Sequence, residues 1–133
     1  MFPEGVRERA RAAARRRLVR VRAPYVALAR EISELEDCTV ILALAQRIYD
    51  MDHNPLGFSR RVAIITLRFA ADKCKSHIEE DKALLVAGFH DQAAWVNYDA
   101  VWAAQELGLH EDAEIREQVA LMKTRYDEKD SAA

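Results

Sequence analysis

A chain of 133 residues, half of them hydrophobic, is long enough to bury a core of its own as one domain and carries too few Gly (4) and Pro (3) for the many turns of an all-β fold. No apolar run exceeds the six residues Val40 to Ala45, which excludes a membrane-spanning helix, and the Arg-studded N-terminus lacks the apolar stretch of a secretory signal. The net charge of −2 hides an asymmetry: residues 1–30 hold nine Arg against Glu4 and Glu8, a balance of +7, which leaves −9 for residues 31–133. The expected class is all-α, an antiparallel bundle of four to five helices with a basic N-terminal helix.

Residues 6–23 are rich in Arg and Ala, both good helix formers, and residues 1–23 are read as an Arg-rich helical arm. Arg7, Arg9, Arg11, Arg15, Arg16, Arg17, Arg20 and Arg22 would project around that helix. Guanidinium groups grip phosphate or carboxylate in bidentate fashion, so a nucleic acid and an acidic protein surface are both natural partners. No aromatics are interleaved for stacking on single strands, and an acidic body would repel a duplex. A lone helix of this kind is marginal in water, which predicts docking against acids such as Glu79, Glu80, Asp81, Glu111, Asp112 and Glu114.

Ala14, Leu18, Val21, Tyr25, Leu28, Ile32 and Leu35 alternate at spacings of four and three, a heptad seam suited to self-association. Pro24 interrupts it and predicts a break or kink. The bundle proper is expected over residues 24–128, with 129–133 as a fraying tail. Its second helix is expected from Tyr25 to about Met51, with Val40 to Ala45 buried on all sides near the centre.

His53-Asn54-Pro55-Leu56-Gly57-Phe58-Ser59 should end that helix, with Ser59 capping a third from Arg60 to about Gly88, interrupted near 78–82. Gly88 and Gly108 each precede an apolar residue, a His and an acid, the pattern of left-handed C-terminal caps. Helices over about 91–107 and 111–127 complete the set. The glycine boundaries are unevenly spaced and the helical patterns between them do not superimpose, so no repeat family fits. A helix-turn-helix over residues 100–125 would put His110, Glu111, Asp112, Glu114 and Glu117 towards a duplex, which is the wrong charge.

Cys38 and Cys74 lie inside helical patterns and read as buried thiols in a reducing, cytoplasmic setting. Cys74 and His77 share a helix face with Glu80 one turn on, as do Asp50 and His53. A closed metal site would still need further ligands, so Cys74 and His77 are weak metal candidates only. Trp95, Tyr98 and Trp102 form a stripe that either packs in the core or lines a ligand pocket, with Asn97 and Asp99 on other faces towards solvent. No phosphate loop, nucleophile elbow or hydroxyl–His–acid set stands out, so no catalytic residue and no cofactor is expected. The functional expectation is a small, non-catalytic interaction or assembly module that forms homo-oligomers through the seam. The alternatives are a nucleic-acid binder using the basic arm and a ligand- or metal-binding bundle.

Overall fold

The computed structural model describes residues 5–15 and 24–132, with the side chains of 13–15, 25 and 130–132 outside the description. The described residues are all-helical, with no strand. Among the described residues seven α-helices pack together: α1 (Val6–Arg15), α2 (Pro24–Ser33), α3 (Cys38–Met51), α4 (Phe58–Phe69), α5 (Ile78–Phe89), α6 (Ala94–Glu106) and α7 (Ala113–Ala132). The α-helical fold class therefore holds, but local stop signals divide the chain more finely than its apolar periodicity predicts.

α2 is described from Pro24 onward, and the break or kink expected there falls at the edge of residues outside the description. The single helix expected from Tyr25 to Met51 is two, because Asp37 caps α3 by accepting a hydrogen bond from the Thr39 amide at 2.8 Å. The C-terminal carbonyls of α2 are held from outside, as the Lys73 ammonium donates to Ser33 O and Leu35 O, both at 2.8 Å. The third expected helix also divides, at 70–77, where a turn and a short 3-10 segment (Lys75–His77) separate α4 from α5.

The turn before α4 is built differently from the expected Ser59 cap. Gly57 takes the left-handed conformation at φ 69° and has no side chain to offer. Asp52 supplies the missing acceptor to the Arg60 amide at 3.1 Å. Gly88 is likewise not a C-cap but an interior residue of α5, buried where a Cβ would stand 2.9 Å from Ala100 Cβ. Its missing side chain lets α5 and α6 approach closely. Gly108 does adopt the left-handed conformation, at φ 73°. The last helix runs to Ala132, past its expected end near 127 and through the residues read as a fraying tail.

The centre lies on α4 and α6. Arg60 through Leu67 are all buried, as are Val96 through Val101. Around α6 gathers the larger apolar cluster, including Leu85, Phe89, Val96, Val101, Ile115, Val119 and Met122; a second cluster joins Ala29, Ile32, Ile41, Val62 and Ile65. The run from Val40 to Ala45 is not enclosed: α3 buries Ile41, Leu42 and Ala45, while Val40 remains 48 % exposed. An apolar run limits what a helix can bury, but its position on the flank of the fold decides what it does bury.

Candidate functional site

Three arrangements of side chains follow from this packing, and the first is an arginine–aromatic face. Trp95, Tyr98 and Trp102 fall on one side of α6, with ring centroids 5.6 Å apart at each step and near-perpendicular planes. The Arg68 guanidinium lies 3.6 Å from the Trp102 centroid, Arg7 lies 4.9 Å from it, and Arg61 lies 4.5 Å from that of Trp95. These cation–π contacts tie α1 and α4 to α6. Tyr98 is buried, whereas Trp95 and Trp102 are partly so, and Trp95 Nε1 has no hydrogen-bond partner among the described residues.

The described helix α1 meets the body on this face. Val6 and Ala10 enter the core, and the Arg9 guanidinium pairs with Asp127 at 2.6 Å. Of the acids named for it, Asp112 and Glu114 pair with Lys82 at 3.0 and 3.4 Å, and Glu79 lies 3.8 Å from the same ammonium. Arg11 is exposed; the side chain of Arg15 and all of Arg16, Arg17, Arg20 and Arg22 lie outside the described residues.

The second arrangement is a set of buried polar groups. Asn97 and Asp99, expected in solvent, are 1 % and 6 % exposed. The Asn97 amide donates to the carbonyls of Gly88, Phe89 and Asp91 and accepts from Arg125 and the Tyr126 hydroxyl, binding α5, α6 and α7 together. Arg61 pairs with Asp99, Nε to Oδ2 at 2.7 Å; burial nevertheless pushes the Asp99 carboxyl up to about 6, with Arg61 opposing. Asp91 accepts from Arg60, from the Tyr49 hydroxyl at 2.6 Å and from the Ala93 amide at 2.8 Å. Burial, then the hydrogen bond to Asp91, raises the Tyr49 hydroxyl well above the ordinary phenol range.

The third is a cleft between α3 and α5. A cavity of about 280 Å³ is lined by Thr39, Leu42, Ala43 and Gln46 of α3, Leu67 of α4, His77, and Glu80 and Leu84 of α5. Cys38, the neighbour of Thr39 in this lining, is joined by a disulfide to Cys74, with their Cα atoms 5.6 Å apart. The two cysteines are therefore not the separate thiols expected, and the ground for a reducing, cytoplasmic setting goes with them. Cys74, with its sulfur bonded, is not the metal ligand considered, and among the described residues no three potential ligands gather. His77 instead pairs with Glu80, Nδ1 to Oε2 at 2.8 Å.

The heptad seam is divided. Ile32 turns inward with Ala29 against α4, while Leu28 and Leu35 remain 45 % and 41 % exposed; Leu18, Val21 and the Tyr25 side chain lie outside the description. Among the described residues no helix is long and apolar enough to cross a membrane. Compared with protein-family models, with curated proteins and with solved structures, the chain shows no significant match to any.

Proposed function

We propose that this chain is a non-catalytic helical interaction module that self-associates along α2. The observation that carries the reading is the exposure of two leucines, Leu28 on α2 and Leu35 just past its end, at 45 % and 41 % while Ile32 between them in sequence is buried. Folding of the single chain uses Ala29 and Ile32 and leaves these two leucines to solvent, where a second copy would cover them. Charge supports the same partner, because a basic segment over residues 1–30 and an acidic remainder attract one another between copies.

Sedimentation of the wild type and of Leu28→Asp/Leu35→Asp, at low and high salt, tests the reading. The wild type should run above the mass of one chain at both ionic strengths, since apolar contact is insensitive to screening, and the variant should run as one chain with unchanged helix content. A wild type at the mass of one chain overturns the reading, as does a variant that still assembles. The same measurement with a nucleic-acid oligomer separates the alternative. Arg7 and Arg9 are engaged within the chain, so phosphate binding would fall to Arg11 and the arginines of 15–22, and it would weaken steeply with salt.

A further inference from the structure

The α3–α5 cavity carries an inference separate from assembly. Its floor is apolar, made by Leu42, Leu67 and Leu84, and its polar groups are confined to Thr39, Gln46, His77 and Glu80. This is the composition of a small-molecule site, in which apolar walls supply affinity and a few polar groups fix orientation. At about 280 Å³ it lies at the small end of such pockets.

The polar groups say which molecule fits. A carboxylate only accepts, so Glu80 takes the hydrogen bond of His77 Nδ1–H at 2.8 Å and occupies that side of the ring. Nε2, an acceptor in the neutral ring, has no hydrogen-bond partner among the described residues. The Gln46 amide nitrogen is already directed to Asp50 at 2.9 Å. No lysine or arginine lines the cavity, and Glu80 does, so an anionic ligand would meet repulsion without compensation. The Glu80 carboxylate is already engaged by His77 and stands largely in water, which weakens its pull on a cation.

We infer that the cavity between α3 and α5 binds a small neutral apolar molecule carrying one hydroxyl group, which donates to His77 Nε2 while its hydrocarbon body lies against Leu42, Leu67 and Leu84. The disulfide joins the first residue of α3, next to Thr39, to the residue preceding the 3-10 turn that bears His77. The start of α3 and the turn bearing His77 are thereby joined before any ligand arrives, which reduces the ordering cost of binding.

The probe series is phenol, toluene, benzylamine and benzoate, matched in ring size and differing in the polar group, titrated by calorimetry into the intact oxidised chain. Phenol should bind several-fold to about tenfold more tightly than toluene, the discrimination expected of one neutral hydrogen bond, and more tightly than either charged probe. His77→Phe should abolish the preference for phenol over toluene, and Ala43→Phe, a substitution at the exposed rim, should block both. Binding of none of the four overturns the inference. So does tighter binding of benzylamine or benzoate, a phenol preference that survives His77→Phe, or uptake that ignores Ala43→Phe in a variant of unchanged helix content.

Discussion

Arg60 and Asp91, 31 positions apart, form a bidentate pair with Nε–Oδ2 at 2.6 Å and Nη2–Oδ1 at 3.0 Å, and they are only 5 % and 8 % exposed. The remaining guanidinium nitrogen, Nη1, donates to the carbonyls of Asp52 and Asn54, each at 2.8 Å. One side chain thus fixes the turn before α4 to the turn before α6.

Removing one partner of such a pair leaves a charge in the interior, so Asp91→Ala should cost about 3–5 kcal/mol in urea unfolding. Arg60→Met combined with Asp91→Leu should recover part of that loss, because both charges of the pair leave together, although Asp52, 3.5 Å from the guanidinium and largely buried, loses its cation. The recovery will be incomplete, since the Tyr49 hydroxyl and the Ala93 amide also use Asp91. A single-variant loss below about 1 kcal/mol would mean that water reaches the site and replaces the partner.

Asp81 gives a pH dependence of defined sign. It is 2 % exposed, its Oδ1 has no hydrogen-bond partner among the described residues, and burial followed by the neighbouring Glu80 pushes its carboxyl from 3.8 up to about 7. Between these values the folded chain keeps a proton that the unfolded chain releases, so this group's contribution to stability falls as pH rises from about 4 to about 7 and then levels. The difference corresponds to at most about 4 kcal/mol; the favourable dipole at the first turn of α5 and solvent relaxation reduce the expectation to roughly 2 kcal/mol. Asp81→Asn should therefore match the wild type near pH 4 and melt several degrees higher near pH 8. An equal offset at both pH values would remove ionisation as the cause.

The disulfide closes a loop across a sequence separation of 36, and a cross-link of that span restrains the unfolded chain by roughly 3–4 kcal/mol. Cys38→Ala/Cys74→Ala, or reduction of the wild type, should lower unfolding stability by up to that amount. Thiol titration of the denatured, unreduced chain should find none to react. Two reactive thiols per chain under those conditions would return the cysteines to the unpaired state that their helical setting suggests.

Much of the fold could be read locally. The stop around Asn54 to Gly57 and the left-handed Gly108 each depend on the conformational limits of one or two residues, and each has the expected location. The division at Asp37 was readable from its capping chemistry, yet the apolar periodicity running through it suggested continuity. Gly88 shows the converse: its sequence surroundings resemble a helix terminus, but its role is set by Ala100 on another helix.

The candidate sites were less accessible. His77 and Glu80 lie one turn apart and could be paired on paper, whereas the leucines beneath them come from three helices. The burial of Asp99 and Asn97 had no local signal, because each is stabilised by partners 38 and 29 positions away, Arg61 and Tyr126.

Composition and periodicity by themselves determined that this polypeptide folds as helices, because the scarcity of Gly and Pro and the spacing of apolar residues act within a few turns of the chain. Tertiary structure alone decided which polar groups enter the interior, which cysteines join and where a cavity opens. Those outcomes depend on groups distant in sequence meeting at hydrogen-bonding or bonding distance, and desolvation favours burial only where such a partner is waiting.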